Sequence, residues 1–173
     1  MTNSKPVKTP CYPLSRLVPH FGVALFDPTM YRSLVGALQY LTFTRLVLAF
    51  SVYQLYQFMS KPTSAHLEDA KRVLRYIRGT LNHGICFSPG PLTLTTFSNA
   101  DWVGDHTDRC STTGLLVFLG PNPISWSAKK QNTVSRSSTK AEYKALATSA
   151  AELSWLQILF KELKIFLPYV PVI

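Results

Sequence analysis

The apolar residues of this chain change their spacing once, near residue 85, and no other feature restricts its fold as much. Before that point they recur every three to four positions, as on helices. After it they alternate in short runs between Pro/Gly turns, until a last long helical pattern starts at "STKAEYKAL". Helices, then a strand meander, then a helix imply an α/β chain of two units. The expected division is an irregular, Pro-rich lead-in over 1–26, a helical segment over 27–85, and a strand meander plus a long helix over 86–173.

The helical half has local start and stop signals. "DPTMYRSLVGALQYL" offers Asp27 as N-cap and Pro28 at the first helical position, with helical spacing through Leu41. A second helix runs through "LAFSVYQLYQFM" and is stopped by Pro62. In "PTSAHLEDAKRVLRYIRGT", Leu67, Ala70, Leu74 and Ile77 form an apolar stripe, Lys71, Arg72, Arg75 and Arg78 an adjoining basic one, and Gly79 the stop. Such a basic stripe either grips phosphates or is a solvated flank that suits the helix C-terminal dipole. Beyond "NHG", the strand candidates are "ICFS", "LTLTTFS", "TTGLLVFLG" and "PISWSA", separated by "PGP" and "GPNP".

Charge narrows the partners. Eighteen Lys and Arg against nine Asp and Glu give a net charge of +9, which suits a polyanionic partner such as nucleic acid or an acidic membrane surface, or is simply a basic soluble surface. Cys11, Cys86 and Cys110 lack metal-binding spacing and read as reduced thiols, so a cytoplasmic or nuclear location is expected. The N-terminus has no continuous apolar run, so no signal peptide is expected, and Pro6, Pro10 and Pro13 interrupt any amphipathic helix there. Residues 34–59 are the most apolar stretch, but Gln39, Arg45, Gln54 and Gln57 break it into pieces too short to span a bilayer. No membrane role is expected.

The stretch with chemical promise is "FSNADWVGD", a strand running into an acidic, Gly-containing loop. A strand that ends in carboxylates suits a divalent cation, yet Asn99 supplies an amide oxygen without charge. On the last helix, a core face traced through Leu146, Ser149, Leu153, Leu156 and Phe160 extends back to Glu142. Two readings of Glu142 are open. "TKAE" is a capping box in which Glu142 reaches back to the Thr139 N–H; alternatively Glu142 points over the sheet to the end of the "TLTTFSNAD" strand and shares a cation with it.

Several long blocks together resemble a known family. "YRSLVGALQYLTFTR", "AKRVLRYIRGTLNHGICFS", "ADWVGD", "RCSTTGLLVFLGPNPISWSAKKQ" and "VSRSSTKAEYKALATSAAELSWLQILFKEL" are similar, in order, to the C-terminal part of the Pol polyprotein of copia-type LTR retrotransposons. The resemblance covers roughly residues 25 to 167. It implies the helical thumb or connection segment of a reverse transcriptase followed by a ribonuclease H-like domain, whose later strands are missing here. Ribonuclease H hydrolyses the RNA strand of an RNA–DNA hybrid with two Mg²⁺ ions held by several carboxylates. The implied partners are therefore an RNA–DNA hybrid and the parent Pol polyprotein or another Pol chain.

Carried over by position, the resemblance also implies loss of activity. Asn99 replaces the family's first-strand Asp, Asp101 lies two residues on as a substitute, and Glu142 retains the helix carboxylate. Lys140 replaces a usual acidic neighbour, and a third Asp would follow "LPYVPVI". Glu142 and Asp101 are thus the candidate catalytic and metal-binding residues, with Asn99 the degenerate position. Lys71, Arg72, Arg75 and Arg78 are the candidate nucleic-acid contacts. Without its later strands, "LTLTTF" is expected to be an unprotected edge. A recruited binding protein is the competing class: "RVLR" at 72–75 spells the RxLR tag of secreted oomycete effectors, although it falls on an amphipathic helix here.

Overall fold

The computed structural model describes residues 4–12, 17–18, 21–105 and 107–173. Among them are four α-helices and one three-stranded antiparallel sheet, and the chain divides into two compact units, Met1–Ile85 and Cys86–Ile173.

In the first unit α1 (Thr29–Leu41) starts where Asp27 Oδ1 accepts the Thr29 N–H at 2.9 Å. Its residues at i, i+4 and i+7, namely Tyr31, Val35 and Leu38, are buried. A 3₁₀ turn over Leu46–Leu48 leads into α2 (Ala49–Tyr56), which buries Val52 and Leu55. α3 (Ser64–Gly79) completes the core with a face that shares Ala70 with the predicted stripe but is turned slightly from it. His66, Ala70 and Val73 are buried, whereas Leu67, Leu74 and Ile77 lie half-buried on the shoulders of the stripe. Compact residues at the centre let the helix approach its neighbours closely, and the longer ones close the sides. His66 holds its place through three contacts: it stacks on Phe58 with ring centroids 4.0 Å apart, and its Nδ1 lies 3.0 Å from the Thr63 N and 3.1 Å from Thr63 Oγ1.

The lead-in is irregular in backbone yet packed. Leu17 and Leu25 lie against the helical core. Residues 23–25 run beside the start of α3, with Ser64 N donating to Val23 O at 2.8 Å and Leu25 N to Pro62 O at 3.1 Å. Pro13, one of the three prolines invoked against an N-terminal helix, lies outside the described residues.

In the second unit β1 (Leu94–Asp101), β2 (Thr112–Leu119) and β3 (Asn122–Lys130) form a meander in the order β1-β2-β3. Leu119 pairs with Asn122 across the turn Gly120–Pro121. Gly120 has φ +57°, and a Cβ there would meet the Pro91 carbonyl oxygen at 2.5 Å, so glycine is required on both counts. The expected strand at "ICFS" does not form. Its last residue, Ser88, is held instead by the Asn122 side chain, which accepts the Ser88 N–H and donates to its carbonyl, each at 2.8 Å.

α4 (Ser138–Glu162) packs on one sheet face, where Leu94, Leu115 and Val117 meet Leu153 and Leu156. Ser149, Leu153 and Leu156 are buried as predicted, and only the N-terminal end of the core face departs from the predicted one. Ala141 and Ala145 are buried against Ala100, while Leu146 is exposed. At that end helix and strand approach so closely that only alanines fit.

Candidate active site

Strand alternation determines what the end of β1 can do. Leu94, Thr96 and Ala100 are buried on the side that α4 covers, so Asn99 and Asp101 project from the opposite side, with Asn99 exposed and Asp101 half-buried. The backbone groups of the even-numbered residues face the edge not occupied by β2. Thr96 N donates to Val172 O at 2.8 Å, and Val172 N to Leu94 O at 3.1 Å, so the chain's own Val172 lies parallel to β1 there. The predicted unprotected edge is thus covered at its start.

Farther along that edge Glu142 takes over. Its Oε2 accepts the Ala100 N–H at 3.1 Å. The capping-box reading does not hold, because Ser137 caps α4 with its Oγ accepting the Lys140 N–H at 3.2 Å, two residues earlier than Thr139 would. Nor does Glu142 head the buried stripe; it is exposed, beside the buried Ala141. The position of Glu142 over the end of β1 was legible, but its partner there is a backbone N–H.

The loop after β1 holds a cluster that the motif reading did not single out. Lys130 Nζ lies 2.5 Å from Asp105 and 2.6 Å from Asp108. Burial pushes both carboxyls up, but the Lys130 ammonium and the Thr107 and Cys110 N–H groups outweigh it and hold them below the ordinary range. Burial likewise lowers Lys130, and its two carboxylate partners more than reverse that. The signal for this cluster was the D-x-x-D spacing in "DHTD", which closes a turn around one cation. The Asp101 carboxylate occupies the space that a Cβ on Gly104 would need.

A Mg²⁺ pair requires several anionic oxygens converging on one point. Here Asp101 projects from the sheet face opposite α4, Glu142 holds an edge N–H, and Asp105 and Asp108 are neutralised by Lys130. Among the described residues, no three His, Cys, Asp or Glu side chains gather as a metal-binding group. The residues present do not fit a two-ion centre.

The basic face of α3 is engaged as well. Lys71 pairs with Glu68 at 2.7 Å, and the Arg72 guanidinium lies 3.7 Å over the Tyr12 ring and donates to Thr9 Oγ1 at 2.8 Å. Arg78 donates to the Ser4 carbonyl at 2.9 Å, while the buried Arg75 Nε meets no acceptor. The lead-in therefore covers much of the predicted phosphate grip. Within "RVLR", Val73 is a core residue of α3. No described helix is long and apolar enough to cross a membrane.

No family model and no solved structure matches the chain. It is 50% identical over 174 residues to the retrovirus-related Pol polyprotein from transposon RE1 of Arabidopsis thaliana, a match covering all of this chain and 12% of that polyprotein. It is 34% identical over 170 residues to the corresponding polyprotein from transposon TNT 1-94 of Nicotiana tabacum, covering 94% of this chain and 13% of the relative. Secreted RxLR effector protein 161 of Plasmopara viticola is 45% identical over 130 residues, covering 74% of this chain and 92% of that protein. The chain belongs to the family of retrotransposon Pol polyproteins, of which it spans one segment.

Proposed function

We propose that this Pol segment joins the thumb or connection of a reverse transcriptase, over 27–85, to a ribonuclease H-like unit that does not hydrolyse RNA. The carrying observation is the disposition of three side chains around β1. A neutral, exposed Asn99 stands at the position of the family's first-strand carboxylate, Asp101 shares its side of the sheet, and Glu142 is hydrogen-bonded to the Ala100 N–H at the strand edge. Two small, strongly hydrated dications need more negative charge than this arrangement supplies. The family assignment supports an origin in nucleic-acid processing, and the net charge of +9 is consistent with an RNA–DNA hybrid or a partner Pol chain as ligand. The proposal is tested with an RNA–DNA hybrid in Mg²⁺ or Mn²⁺, with Glu142→Ala as control. The expected result is no cleavage above that control. Cleavage that disappears in Glu142→Ala overturns it.

A further inference from the structure

The second unit carries a cationic surface that the ribonuclease reading does not use. The first turns of α4 and the loop before it enclose an open concavity of about 580 Å³, lined by Val134, Arg136, Lys140, Tyr143, Lys144 and Ala147. Lys140, Tyr143, Lys144 and Ala147 follow one another at i, i+3, i+4 and i+7, which places them on one helix face. The opposite wall is held rigidly. Trp102 Nε1 donates to Ser135 O at 3.0 Å, Ser135 Oγ to Gln131 Oε1 at 3.0 Å, and Gln131 Nε2 to Ala141 O at 2.9 Å. Lys144 adds a further tie, its Nζ donating to Thr133 Oγ1 at 2.8 Å. Arg136 and Lys140 are exposed, and no described residue engages the guanidinium of the one or the ammonium of the other. The one carboxylate nearby in sequence, Glu142, is turned to β1. On the same helix face as Lys140, Tyr143 is 67% exposed.

We propose that this concavity binds single-stranded nucleic acid without metal, Arg136 and Lys140 holding phosphates and Tyr143 stacking on a base. Charge complementarity selects a polyanion, and the exposed ring selects among polyanions. A duplex hides the faces of its bases, whereas a single strand offers them to an aromatic platform flanked by cations. The fixed loop means that little ordering is needed on binding. Neither Asn99, Asp101 nor Glu142 takes part, so the site goes beyond the hydrolysis reading.

The test uses the full chain in EDTA, with fluorescence anisotropy of a labelled mixed-sequence DNA strand of about 15 nucleotides and of its duplex. The double variant Arg136→Glu/Lys140→Glu should weaken single-strand binding at least about tenfold and lower the slope of log affinity against log salt by about 1.4. Lys129→Glu/Lys161→Glu makes the same change in net charge elsewhere on the unit and should cost less than about threefold. Tyr143→Leu should weaken the single strand about fivefold and leave the duplex unchanged. Equal losses in the two charge-reversal variants, or an unchanged single-strand affinity in Tyr143→Leu, overturn the proposal. Circular dichroism confirms that each variant is folded. Because EDTA removes any metal, this outcome is independent of the cleavage assay.

Discussion

In the helical unit the buried Tyr31 hydroxyl and His66 Nδ1 find backbone partners inside the core, while in the sheet unit the backbone groups most in need of partners lie along one edge. Tyr31 Oη donates to Leu55 O at 2.7 Å, and the His66 ring accepts the Thr63 N–H, both deep among apolar neighbours. Along β1 the corresponding work falls to Val172 and to the single carboxylate of Glu142. Where a core is closed, stability depends on filled volume. Where a sheet has a free margin, it depends on whatever occupies the edge donors. The two units should therefore fail under different perturbations, and the tryptophans make the difference measurable, since Trp102, Trp126 and Trp155 all belong to the second unit.

The largest effect is expected from Tyr31→Ala. Tyr31 is fully buried beside Val35, Leu38, Val52 and Leu55, so truncation removes an aromatic ring and the hydrogen bond to Leu55. The expected cost is about 3–5 kcal/mol to the first unit. It should appear as early loss of helical circular dichroism while the tryptophan fluorescence transition stays in place. A tryptophan transition that falls by the same amount would break the distinction between the units.

How much of this was legible in the sequence depended on whether the determinant was local. The cap at Asp27, the turn at Gly120 and the three strand runs are set by neighbours in sequence, and the structure has them. The predicted core faces match at Ala70 of α3 and at Ser149, Leu153 and Leu156 of α4 but miss by one residue elsewhere, because a periodicity search favours large apolar side chains. His66, Ala141 and Ala145 are buried because of what packs against them, which no window of one helix records. The engagement of Arg72 and Arg78 with Tyr12, Thr9 and Ser4 was invisible for the same reason, since it spans sixty positions or more. At Glu142 the direction was readable and the partner was not.

Acid sharpens the comparison, with a smaller effect than the loss of Tyr31. Burial lowers the pKa of His66, so between its folded and unfolded values the unfolded chain binds the extra proton. The stability His66 contributes is thus present at neutral pH and declines as pH falls below about 6.5. Asp69 acts oppositely, since burial raises its carboxyl and protonation at lower pH relieves it. In the second unit, the lowered carboxyls of Asp105 and Asp108 contribute stability that is full above about 4 and declines only below it. The raised Lys130 keeps its share until pH rises through its folded value, above 10.5. Melting the chain at pH 7 and pH 5 should therefore lower the helical transition more than the tryptophan one. His66→Gln should flatten the pH dependence of the helical transition, and an unchanged slope in that variant would assign it to other groups.

The smallest effect separates two roles for one residue. If Glu142 serves as an acceptor for the Ala100 N–H, Glu142→Gln keeps an oxygen in place and should leave the tryptophan transition within about 0.5 kcal/mol of the parent. Glu142→Ala leaves that half-buried donor without its partner and should cost about 1–2 kcal/mol. A metal ligand behaves otherwise, because an amide oxygen lacks the charge that Mg²⁺ requires. In that case adding Mg²⁺ would raise the melting temperature of the parent chain and leave Glu142→Gln unmoved. The expected observation is that both respond equally to Mg²⁺ and that only the alanine variant melts early, which makes this carboxylate part of how the sheet closes its edge.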